Sequence, residues 1–148
     1  MKFELTWSNC FWLLVPILVW NLVYGPKLTD PRITSDANSP AWLLIAEHVT
    51  RLAIFILPLL FPLQLKDTWS KTGLGIYIVG TLIYFASWLP LLFAPASTWS
   101  NSPIGLLAPA LTPFLSFLGI ALIGHSWPYG VLAAVFIGIH TLHGIQNL

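Results

Sequence analysis

Five stretches of this chain approach the length and apolarity of a membrane-crossing helix, and no motif constrains the fold as strongly. Crossing the hydrocarbon layer takes about 20 mostly apolar residues. Segments near 5–25, 41–65, 72–94, 104–124 and 129–147 come close to that. Charged residues make up 7% of the chain and hydrophobic ones 57%, whereas a soluble domain carries about 25% charged residues. So few charges cannot coat a water-facing surface. The expected fold is an all-α integral membrane protein: a bundle of about five transmembrane helices, four being the alternative count. They form a single polytopic domain over residues 1–148. The eight Trp fit anchoring at the headgroup level, where an amphipathic ring is wetted at one end only.

The N-terminus has some features of a secretory leader, since Lys2 precedes the apolar run Phe11 to Val23. Glu4 in the would-be basic region and the lack of an Ala-x-Ala cleavage pattern argue for a first membrane helix instead. The connectors carry turn chemistry: the long polar "GPKLTDPRITSDANSP" (25–40), "KDTWSK" (66–71), "APASTWSNSP" (94–103) and "HSWPYG" (125–130). Ser39-Pro40 and Ser102-Pro103 each read as an N-cap followed by proline at the first helical position. Pro16, Pro58, Pro62, Pro90, Pro109 and Pro113 fall inside the proposed spans, where neighbouring helices can satisfy the freed carbonyls. Gly73-x-Gly75 and Gly80 read as sites of close helix contact. With five spans, Lys2, Lys66 and Lys71 share one side, and Lys27 and Arg32 the other. The excess, three against two, makes a cytoplasmic N-terminus the expected orientation.

Against this apolar background, "AEHVTR" (Ala46 to Arg51) stands out. A charge at the centre of a membrane helix costs about 2.5–3.5 kcal/mol on insertion scales, so an intramembrane ionisable group is a functional candidate. Counting ~1.5 Å per residue from the 25–40 side, Glu47 and His48 lie roughly 10 Å deep and Arg51 roughly 15 Å deep. His140 and His143 of the last segment fall in the same layer, as do Asn21, Ser87 and Thr112. Glu47 and Arg51 are spaced to pair directly, and with His48 they form one expected polar stripe. His140, His143 and Asn147 form another, and Tyr77, Thr81, Tyr84 and Trp88 a polar-aromatic one. Turned inward, these stripes make a polar pocket open to the 25–40 side.

The expected function is binding of, or chemistry on, a lipid-soluble or small amphipathic substrate. Glu47, His48, His140 and His143 are the acid–base candidates. Arg51 would hold an anionic headgroup, and Asn21, Tyr84, Ser87, Trp88 and Thr112 would line the site. Other readings are a transporter or channel-like binding protein, and an accessory or assembly subunit in which Glu47–Arg51 is a structural clamp. A metal through Glu47, His48, His140 and His143, or haem through His48 with His140 or His143, is a further option, although an HxxH pair is no established motif. His125 reads as a solvated interfacial residue. Expected partners are membrane lipids, a lipid-soluble small molecule and a second copy of the chain. Net charge of +1 leaves no basic surface for nucleic acid. Cys10 is alone, which excludes an intramolecular disulfide. The absence of Walker A, GxSxG, CxxC and HExxH patterns argues against P-loop nucleotide binding and dithiol redox chemistry.

Overall fold

A computed structural model describes residues 7–36 and 38–148. Lys2, Glu4 and the expected helix start near residue 5 lie outside them. The described chain is helical, with one isolated bridge, Asn9 to Pro62, as its only extended pairing. Five helical lengths are long and apolar enough to cross a membrane: Cys10–Lys27, Ala41–Leu60, Thr68–Phe93, Pro103–Ile123 and Trp127–Gln146.

The first length opens with a 3-10 turn, Cys10–Leu13, and continues as α1, Val15–Tyr24. Pro16 falls in its first turn, where a missing N–H breaks no helical bond. In the long connector, α2 is a single turn, Pro31–Thr34, capped by the Asp30 carboxylate. Helix α3, Ala41–Ile56, tightens into a 3-10 turn at Leu57–Leu60 around Pro58. It therefore ends near residue 60, not 65. With prolines at 58 and 62, the chain leaves the helix. Residues 61–63 then lie along the N-terminal segment, with Cys10 N–H donating to Phe61 O at 2.9 Å and Leu63 N–H to Ser8 O at 3.0 Å.

Helix α4, Thr68–Phe93, starts inside the stretch expected to be a connector because Asp67 caps it: the carboxylate accepts from Ser70 N–H and Ser70 Oγ. Helices α5, Pro103–Leu111, and α6, Pro113–Ile123, share one membrane length that breaks at Thr112. Ser102 caps α5 as expected, accepting from Gly105 N–H at 3.0 Å. The parallel expectation for Ser39 is corrected. Pro40 itself occupies the cap position of α3 with no side-chain cap, and Ser39 Oγ accepts from Asn147 Nδ2 at 3.3 Å instead. Helix α7, Trp127–Gln146, follows a turn in which His125 is left-handed (φ 48°) and Ser126 caps Tyr129.

Helix α4 packs along α6, and α3 along α7, with α6 and α7 also in contact. The α4–α6 crossing is close because glycine faces backbone. A Cβ on Gly119 would sit 2.6 Å from Gly73 O and Tyr77 N, and one on Gly80 would meet Ser116 N at 2.7 Å. Gly73 and Gly80 thus behave as expected, whereas Gly75 faces open space. Beside the crossing, Thr81 and Ser116 hydroxyls share a hydrogen bond at 3.1 Å. The outer faces are apolar: Ile45, Val49, Leu52 and Ile56 of α3, Ile78, Val79, Leu82 and Ile83 of α4, and Val131 and Val135 of α7 are all exposed. Trp7, Trp69 and Trp127 are exposed at one end of the bundle, and Trp42 and Trp99 at the other.

Candidate functional site

Helical spacing decides which of the "AEHVTR" side chains turn inward. Glu47 shares the inward face of α3 with Leu43 and Ile54, and is 1% exposed. One residue further on, the helix has turned by about 100°, and His48 is exposed, its Nδ1 on Leu44 O at 2.7 Å. The expected stripe of Glu47, His48 and Arg51 is therefore corrected: only Glu47 and Arg51 belong to the site. A haem held between His48 and the α7 histidines falls with it.

Across the bundle, α7 presents His140 and His143 one turn apart. His140 Nδ1 lies 2.9 Å from Glu47 Oε1, and His143 Nδ1 is hydrogen-bonded to Glu47 Oε2. Arg51 donates from Nη2 to Oε1 and is more exposed than Glu47. Since a carboxylate only accepts, the hydrogen-bond pattern assigns the protons to the Nδ1 atoms. A buried carboxylate needs such partners: unpaired, it would carry a desolvation cost of several kcal/mol. The His140 ring stacks on Phe136, centroids 5.5 Å apart and planes 7° apart, which fixes its orientation. His143 Nε2 lies 3.1 Å from Asp36 Oδ1, without the direction of a hydrogen bond.

The cluster opens on a cavity of about 280 Å³ lined by Asn21, Glu47, Arg51, Tyr84, Trp88, His140, His143 and Asn147. Its rim is made by the long connector, through Leu28, Arg32, Ile33 and Asp36. Arg32 pairs bidentately with Asp30, holding that carboxyl below the usual range, and reaches Asn101 Oδ1 at 3.1 Å. This ties the rim to the 94–103 connector. A second cavity of about 280 Å³ shares Asn21, Arg51, Tyr84, Pro109 and His140 as walls. Its remaining lining is apolar: Ile17, Leu18, Phe55, Pro113, Phe117 and Phe136. The site is thus two adjoining, largely apolar cavities with the Glu47, His140, His143 and Arg51 groups set into their walls.

The other expected lining residues divide. Tyr84 Oη donates to Asn21 Oδ1 at 2.7 Å, so α4 and α1 meet at the chamber wall. Tyr77, Thr81, Tyr84 and Trp88 are all buried, as their stripe requires. Ser87 and Thr112 share a hydrogen bond at 3.2 Å and neither lines either chamber. They join α4 to the α5–α6 break. Asp36 and Phe136 carry no role in the sequence reading. Phe136 is legible in hindsight, four residues before His140 on the same face. Asp36 is not, because its approach depends on how the connector folds back. At the opposite end, the exposed His125 ring lies with Nε2 2.9 Å from Asp67 Oδ2, so it is also a hydrogen-bond partner at the α4 cap. No protein-family model, curated protein or solved structure matches the chain, and the reading of the site rests on this geometry.

Proposed function

We propose that the chain is a multi-pass integral membrane protein that binds an amphipathic or lipid-soluble molecule in the two adjoining chambers and acts on it by acid–base chemistry. The observation that carries this reading is the buried Glu47 carboxylate, held by two imidazoles and a guanidinium on the wall of one cavity, with Arg51 and His140 also lining the second. Arg51, which lines both chambers, suits an anionic headgroup. The Phe55, Phe117 and Phe136 surface suits an acyl or isoprenoid tail. The direct hydrogen bonds of His140 and His143 to Glu47 make these three the acid–base candidates. The apolar exterior supports the membrane setting, because a contiguous apolar surface of this extent is not stable in water.

Native mass spectrometry of the detergent-purified chain tests the reading. A bound lipophile is expected on the wild type, and its loss in Glu47→Gln with the fold retained. Bare protein in both would remove the ligand reading. One observation favours a second reading, an accessory or assembly subunit: both Glu47 oxygens are already engaged within the chain, as a structural clamp requires. Such a subunit would co-purify with a partner protein in stoichiometric amount.

A further inference from the structure

We infer that Glu47, His140 and His143 form a binding site for a divalent transition metal of the zinc class. The inference rests on the chamber reading above for what the metal would act on, though not for whether it binds. One ligand atom from each residue lies within 4.8 Å of the others. Tetrahedral zinc, with bonds of about 2.0–2.2 Å, needs its ligand atoms roughly 3.3 Å apart. The His140–Glu47 contact, at 2.9 Å, would open by side-chain rotation to admit the ion. Two imidazoles and one carboxylate suit zinc and its first-row neighbours. Three protein ligands would leave a coordination position free, and all three residues line the first cavity.

The state of His143 gives an independent argument. With its proton on Nδ1, facing Glu47, neutral His143 presents the bare Nε2 lone pair towards Asp36 Oδ1, 3.1 Å away. Nε2 is buried and makes no hydrogen bond among the described residues. Two acceptors facing each other repel. A metal on Nδ1 would need the ring's one proton to move through water to Nε2, with no net proton lost, and there it can point at Asp36. A carboxylate behind a metal-bound histidine is the usual outer partner that fixes the tautomer. Phe136 holds the His140 plane in a comparable way. Arg51 is the counter-argument, since a cation already sits on Oε1. Its side chain is 43% exposed and has room to turn into the chamber, where it would face an anionic ligand.

The test uses the full chain in detergent, stripped with chelator and titrated with Co²⁺, read by its visible ligand-field band and by elemental analysis after Zn²⁺ exchange. One ion per chain is expected. Glu47→Gln, His140→Ala and His143→Ala should each weaken binding by about 100-fold or more, and Asp36→Asn by about 10–100-fold. Absence of binding, or equal binding by wild type and the ligand variants, would overturn the site. Should the ligand variants fail to fold, the exposed Asp36 position decides: unchanged affinity in Asp36→Asn overturns it. A lipophile retained by the stripped chain together with no Co²⁺ binding removes the metal alone. Stoichiometric Co²⁺ on a chain that never carries a lipophile removes the ligand reading alone.

Discussion

At the scale of single residues, the Glu47 carboxylate sets the terms. Its two oxygens take three donors from two helices, and a change at any of them alters both charge balance and packing. Removing one partner of a buried pair usually costs about 3–5 kcal/mol, because the other charge stays behind uncompensated. Arg51→Leu should cost less, on the order of 1–3 kcal/mol, since two imidazoles still serve Glu47 and Arg51 is half in solvent. Glu47→Leu with Arg51→Leu should recover most of the stability if the pair is only a clamp, with a measurable coupling energy in the double-mutant cycle. Thermal unfolding in detergent reads this. If the pair serves a ligand, the double variant is stable but binds nothing. The sequence flags Glu47 and Arg51 by their charge in an apolar run. It assigns His48 to the same stripe wrongly, since one step along a helix carries a side chain off the inward face. Asp36 cannot be read at all without the path of the connector.

At the scale of elements, caps and crossings decide where helices begin and how near they come. Asp67 ends the 61–67 connector and starts α4. Hydrogen bonds from Ser70 backbone and side chain, followed by His125, pull its carboxyl down to about 2 from 3.8. A depressed carboxyl stabilises the fold above its unfolded value and loses that contribution as the pH falls. Cap stabilisation should therefore be complete above about pH 4 and gone near pH 2. In Asp67→Asn, which keeps an acceptor but cannot ionise, unfolding temperature should vary less across that window. At the α4–α6 crossing, Gly119→Ala pushes a methyl into the Gly73 and Tyr77 backbone, where no side chain can yield. Overpacking of this kind costs about 1–3 kcal/mol or more. Gly75→Ala, into open space, should be neutral or slightly stabilising by helix propensity. Parallel melts of the two variants check the contrast. Sequence spacing picks out Gly73 and Gly80, but nothing in it separates them from Gly75. Their partners lie more than thirty residues away on α6.

At the scale of the whole molecule, five helical lengths put the 66–71 and 125–130 connectors at one end and the 25–40 and 94–103 connectors at the other. Tryptophans mark both ends. On a Cys10→Ala background, Lys66→Cys and Asn101→Cys should react with a membrane-impermeant maleimide from opposite sides, and Lys66→Cys from the cytoplasmic side. Labelling from one side for both would rule out a span between them. Length, apolarity and scarcity of charge are local properties, so the sequence alone determined that the chain is helical, that it has about five lengths apolar enough to cross a membrane, and that Glu47, Arg51, His140 and His143 lie towards the same end of their helices. Depth follows from counting residues along a helix of fixed rise. Which of those groups meet depends on rotation about each axis and on where α3 and α7 touch, and those are set by packing across the bundle. The tertiary structure alone therefore decided that Glu47 is shared by two α7 histidines, that His48 is excluded, that Ser87 and Thr112 bind each other instead of the chamber, and that Asp36 stands behind His143.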